Sequence, residues 1–207
     1  MRLHLKLSGL LIAIMLGIIV NSCESDKKKA PITDITNEPL FTLTNPEDTG
    51  INFTNSVVNQ KDMNIFKYRN FYNGGGVAIG DINNDGLSDV YLTANMTENK
   101  LYLNKGNFKF EDISKTAGVE GNKPWSTGVV MVDINQDGFL DIYVCHAGNM
   151  EGNNQDNELF INNGDLTFTE KAEEYNLAKT GFTIHASFFD YDKDGDLDAY
   201  ILNNSNI

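Results

Sequence analysis

Cysteine and positive charge are both scarce in this chain, and each scarcity removes a class of explanation. Only Cys23 and Cys145 are present in 207 residues, so no disulfide framework organises the fold. Lys and Arg number 16 against 29 Asp and Glu, a net charge of −13, which is the opposite of the basic footprint that nucleic acid requires. Nucleic acid is therefore excluded as the expected partner. Long apolar runs are absent as well. The apolar, charge-free run near the amino terminus, Leu7 to Val20, has 14 residues, fewer than the roughly 20 that a helix needs to cross a bilayer. No nucleophile–base pair, carboxylate dyad or phosphate-cradling loop stands outside the acidic loops described next, so no catalytic residue is assigned.

What the chain does contain is one nine-residue acidic pattern written three times. It runs Asp81-Ile-Asn83-Asn-Asp85-Gly86-Leu87-Ser-Asp89, then Asp133-Ile-Asn135-Gln-Asp137-Gly138-Phe139-Leu-Asp141, then Asp190-Tyr-Asp192-Lys-Asp194-Gly195-Asp196-Leu-Asp198. Side-chain oxygens recur at positions 1, 3, 5 and 9, with Gly at position 6 for a sharp turn. Position 7 (Leu87, Phe139, Asp196) offers a backbone carbonyl. Hard oxygen donors at this spacing suit a hard cation, and Ca2+ fits best. An EF-hand is ruled out, because its bidentate Glu at position 12 is replaced by Leu92, Val144 and Ile201. The Asp at position 9 is expected to close the shell instead. Ordinary Asx/Gly turns that bind nothing are the bland alternative. Against it stands charge: three to five acidic side chains within nine residues repel one another unless a cation joins them.

The amino terminus reads as an export signal. Arg2 and Lys6 precede the Leu7–Val20 core, and Val20-Asn21-Ser22-Cys23 follows. This resembles the bacterial lipoprotein signal, which implies cleavage after residue 22 and lipidation of Cys23. The expected location is then the cell envelope, as an outer-membrane lipoprotein, or secretion where Cys23 carries no lipid. Loss of Arg2 and Lys6 leaves 14 Lys and Arg against 29 acids, a charge of −15, and 11 of those acids lie in the three loops. Residues 23–39, polar and with Pro31 and Pro39, read as a tether. Cys145, in an apolar run, reads as a buried small residue.

Short β-rich runs flank each loop: Val77-Ala-Ile, Val129 to Val132 and Ser187 to Phe189 lead in, while Val90-Tyr-Leu, Ile142-Tyr-Val and Ala199 to Leu202 lead out. A second pattern follows the first two loops. Asn99-Lys-Leu101-Tyr102-Leu-Asn104-Lys-Gly106-Asn-Phe108-Lys-Phe110 matches Asn157-Glu-Leu159-Phe160-Ile-Asn162-Asn163-Gly164-Asp-Leu166-Thr-Phe168. Each reads as a hairpin with a tight primed turn at the Gly, and its second strand begins at Phe108 or Leu166. The loops recur after 52 and then 57 residues. Four short strands per period indicate an all-β propeller blade.

With these motifs, and with Gly74-Gly-Gly-Val-Ala-Ile-Gly-Asp81 leading into the first loop, the chain resembles the FG-GAP/VCBS repeat proteins. A narrower resemblance is to VCBS proteins associated with an ASPIC/UnbV module. The resemblance implies an integrin-α-like, seven-bladed propeller with about three Ca2+ ions in blade loops. Residues 40–207 would supply about three blades, the last incomplete, as the amino-terminal part of a longer protein. The expected function is a cell-envelope calcium-binding scaffold for a protein or glycan ligand in interaction or adhesion. A polysaccharide-degrading enzyme such as a lyase, or a structural spacer, is the alternative. His146 and His185 are expected to be packed and hydrogen-bonded, and Trp125 to be packing. Phe41 to Ile51 lines up with Phe110 to Val119, so it is expected to be a blade's final strand and exit without the strands that should precede it.

Overall fold

The computed structural model describes residues 39–148 and 155–204. The proposed signal peptide, Cys23 and nearly all of the tether lie outside them. The described residues from Thr44 onward form one compact unit, and everything below concerns it unless stated.

Alternating β-branched and aromatic residues build three antiparallel sheets, as the period-2 runs require. The first holds β1 (Val77–Gly80), β2 (Asp89–Leu92), β3 (Lys100–Asn104) and β4 (Phe110–Asp112) in sequential order. The second repeats it with β5 (Ser126–Val132), β6 (Asp141–His146), β7 (Glu158–Asn162) and β8 (Phe168–Glu170). The third contains, among the described residues, only β9 (Phe182–Phe189) and β10 (Asp198–Asn204). Each acidic loop joins the first two strands of its sheet. The architecture is all-β, two complete four-stranded propeller blades followed by two strands of a third.

Period-2 alternation sorts the core between blades. In β6, Ile142 and Val144 join a cluster with Tyr91, Leu101 and Val119 of the first blade. Their neighbours Tyr143 and Cys145 point the other way, to Ala186 and Phe188 of the third. Both faces of the second blade are therefore buried, and every residue of β6 and β7 is buried. Among the described residues, the first blade has no such partner on its leading face. Val77 is 58 % exposed, whereas Val129, at the same place one repeat later, is 5 % exposed.

Two features of the hairpins differ from the sequence expectation. The turns are wider than two residues: Lys105 donates to the carbonyl of Lys109, and Asn163 to that of Thr167, leaving three residues between each pair. Phe108 consequently lies in the turn with a left-handed backbone and is 72 % exposed, so the strand starts at Phe110. Leu166 is also left-handed, but it packs against the core.

Short helical turns leave the blades. α1 (Pro46–Thr49) ends at left-handed Gly50, and α2 (Ser114–Ala117) at left-handed Gly118. Asn176 takes the same conformation after the second blade. For its part from Thr44 onward, the alignment of residues 41–51 with 110–119 holds in three dimensions, since Gly50 closes on the carbonyl of Phe110 as Gly118 faces that of Phe168. Phe41, Leu43 and Thr44 join no ladder. Thus the segment takes a blade-exit position, without its strand formed.

Candidate metal loops and the strand-entry pocket

The three acidic loops share one backbone path. Position 4 is left-handed in each (Asn84, Gln136, Lys193), as is the Gly at position 6. That path wraps the chain around the first Asp. Asp81 accepts from the amides of Asn83, Asp85 and Gly86; Asp133 accepts from those of Asp137 and Gly138; Asp190 accepts from that of Gly195. Position 5 faces position 3, with Asn83 Nδ2 donating to Asp85 at 3.0 Å and Asn135 Nδ2 to Asp137 at 2.8 Å. In the third loop all three residues are acidic. Ligand oxygens of Asp190, Asp192 and Asp194 lie within 4.8 Å of one another. Repulsion there is visible in Asp196, whose carboxyl is pushed above its ordinary value, first by the charge of Asp194.

Position 9 does something that the sequence does not spell out. Asp89 is fully buried and uses both oxygens on backbone amides, Oδ2 on Ile82 at 3.0 Å and Oδ1 on Asn104 at 2.7 Å. Asp141 repeats this with Ile134 at 3.0 Å and Asn162 at 2.8 Å. Burial pushes both carboxyls up, and those amide bonds partly offset it. Among the described residues Asp198 accepts only from Tyr191, at 2.7 Å. In the two complete blades the ninth residue thus braces its loop against the third strand.

Neighbouring loops are also clipped together. Asn84 Nδ2 donates to the carbonyl of Gly138 at 3.0 Å, and Gln136 Nε2 to that of Gly195 at 3.1 Å. Position 4 of one loop holds position 6 of the next. Leu87 and Phe139 present no side-chain donor, and their amides are fixed by Asp85 and Asp137.

Comparison with known proteins bears on these repeats. A family model described as FG-GAP-like repeat matches residues 81–144 and 147–201. The chain belongs to the FG-GAP-like repeat family. It is also 29 % identical over 162 residues to cartilage acidic protein 1 of Xenopus tropicalis, covering 76 % of this chain and 24 % of that protein. The mouse and human proteins of the same name are 29 % and 28 % identical, over 63 % and 64 % of this chain and 20 % of each relative. The chain thus spans about a quarter or less of these relatives. FG-GAP-like repeats are propeller-type interaction or scaffold modules, and the two matched segments enclose all three acidic loops.

The histidines behave differently from each other. His146 is buried with its Nε2 2.9 Å from Glu158 Oε2, in a geometry that gives neither atom a directed hydrogen bond; Ser126 Oγ lies 3.5 Å from its Nδ1. His185, expected to be packed and bonded, is exposed, and its ring makes no hydrogen bond among the described residues. It lies where each inner strand begins, beside a pocket of about 280 Å3. A cap formed by residues 55–76 closes over this end, and Met63, Tyr68 and Phe71 bury Trp125 there. Trp125 is 3 % exposed and packs edge-on to Tyr68, so it is core.

Proposed function

We propose that this FG-GAP-like chain is a calcium-loaded scaffold of the cell envelope, held to the membrane through lipid on Cys23, that presents its propeller surface to a protein or glycan ligand. The observation that carries the metal reading is the convergence of Asp190, Asp192 and Asp194 in a loop whose backbone path recurs at Asp81 and Asp133. Oxygen donors alone line these loops, which fits Ca2+ and gives soft metals nothing to hold. Side chains at positions 1, 3 and 5 and the carbonyl at 7 would supply the ligands. The oxygens of position 9 keep a lone pair each beyond their amide bonds, so Asp89, Asp141 and Asp198 remain eligible as the closing ligand. A cation there relieves the mutual repulsion of the loop acids.

Calorimetric titration of the full-length protein tests this. Three sites are expected within residues 81–198, each stabilising the fold by about 2.7 kcal/mol when free Ca2+ is a hundredfold above its dissociation constant. Replacing Asp190 and Asp192 by Asn removes one site and leaves the others. Unchanged stoichiometry in that variant, or no binding by the parent, defeats the calcium reading. The anchor is tested separately by Cys23→Ala, which should move the protein from membranes to the soluble fraction, since three acyl chains exceed what stable attachment needs. A variant that stays on the membrane as firmly as the parent refutes the anchor.

A further inference from the structure

The clips between neighbouring acidic loops end on one particular peptide unit. Asn84 Nδ2 donates to the carbonyl of Gly138, and Gln136 Nε2 to that of Gly195. The N–H of that same unit belongs to position 7 and donates to the position-5 carboxylate: Phe139 to Asp137 Oδ1 at 2.9 Å, and Asp196 to Asp194 Oδ1 at 3.1 Å. A peptide unit is planar and rigid, so one bond at its carbonyl and one at its N–H together fix its orientation. That orientation sets where position 7 begins and aims the position-5 oxygen. Two of the proposed ligands of a loop are therefore held, through this unit, by a side chain of the loop before it.

The donor end is tied to its own loop in the same manner. Asn84 and Gln136 are left-handed, with φ of 59° in each, and they stand between positions 3 and 5. The next N–H along the chain is that of position 5: Asp85 donates to Asp81 and Asn83, and Asp137 donates to Asp133 and Asn135. Gathering positions 1, 3 and 5 thus fixes the backbone from which the carboxamide reaches out. Both ends of a clip lie in segments that a cation would order, and neither end lies on a strand. Asn84 and Gln136 differ in length yet make the same bond, so what recurs is a carboxamide donor on a left-handed backbone. Each clip is complete within two successive loops.

We infer that Asn84 and Gln136 are positioning residues for the cation site of the following loop, and that through them occupation of either of two neighbouring sites raises the affinity of the other. The inference rests on the calcium reading of the loops and adds a dependence between sites. Ordering a loop has a conformational cost, and a loop already held by an ordered neighbour has less freedom left to lose. Such a coupling is reciprocal. Repulsion between neighbouring bound cations acts in the opposite sense, and salt screens it over about 8 Å at about 0.15 M. With a clip removed, only that weak repulsion remains.

The test is Ca2+ titration calorimetry on the full-length protein at about 0.15 M salt. A loop is disabled by Asn at its first and fifth positions: Asp81→Asn with Asp85→Asn, Asp133→Asn with Asp137→Asn, or Asp190→Asn with Asp194→Asn. The protein with all three disabled is the blank for any site elsewhere in the chain. Loops one and two are titrated together with loop three disabled, and then singly with one more loop disabled. Their joint constant divided by the product of the single-loop constants is the coupling factor, expected to be about fivefold, at the low end of usual couplings. Asn84→Gly takes up the left-handed backbone without strain and should bring the factor to one or below, while Asn84→Gln should keep it. Gln136→Gly should leave the factor between loops one and two unchanged and abolish the factor between loops two and three, a sorting that general loosening of the fold would not produce. A factor of one or less in the parent, a factor that survives Asn84→Gly, or equal loss in both pairs from either variant overturns the coupling and leaves the calcium reading standing. No difference in binding between the parent and the blank overturns both.

Discussion

The tyrosine on the second strand of each blade reports how completely that blade is built. Tyr91 is fully buried, and its Oη donates to the carbonyl of Val119 at 2.6 Å. Tyr143, one repeat later, donates to Leu177 at 3.0 Å and accepts from Asn157 at 2.8 Å. Each fastens the second strand to the exit of its own blade. Tyr200 holds the same place in the third repeat but is 63 % exposed. Tyr143→Phe should therefore cost about 1–3 kcal/mol, because two buried polar groups lose their partner. Tyr200→Phe should fall within about 0.5 kcal/mol of the parent, as an exposed site does. Urea unfolding midpoints of the two variants check this, and equal losses would refute it.

At the scale of the element, the ninth loop residue is as much a strand brace as a ligand candidate. Asp141→Ala leaves the amides of Ile134 and Asn162 without acceptors, and each buried amide costs about 1–3 kcal/mol when unpaired. Asp198→Ala removes a single bond and should cost less. Measured with a chelator present, the difference belongs to the brace alone; a larger loss at Asp198 would sink the assignment. The strands and loops themselves were legible in the sequence, since alternation in Val129 to Val132 and Ile142 to Val144 and the spacing of the loop acids are both side-chain patterns. What stayed hidden depended on backbone partners. The clips from Asn84 and Gln136 end on carbonyls, which no residue type announces, and the side chains differ from loop to loop. Phe108 read as strand because it alternates with Phe110, yet the turn between them is wider than a two-residue hairpin. The cap was equally unreadable, because Met63, Tyr68 and Phe71 follow no period and meet Trp125 only through long-range packing. His185 is the opposite case. Its departure from a repeated Gly was visible, but the close approach of Gly128 to Ile184 and His185 is made by separate strands.

At the scale of the molecule, the two complete blades and the partial third are unequal in protection. Among the described residues, the second blade is covered on both faces, the first on one, and β10 has β9 as its single ladder partner. Neighbour contacts dominate stability in repeated architectures, so local opening should begin where a neighbour is missing. Amide hydrogen exchange should be slowest in β6 and β7 and fastest in β10. Uniform exchange across the three sheets would contradict this.

Among the described residues nothing covers the leading face of the first blade, and a face left open in this way would set how copies meet. Val77 and Ile79 present apolar surface of the kind that Val129 and Met131 place against a preceding blade. Its natural complement is the opposite, trailing face of a blade, not a second copy of itself. A contact between unlike surfaces has no two-fold axis and is not satisfied by a pair. Each added copy would offer the same free surface again, so association through this face grows as a chain unless its rotation closes a ring.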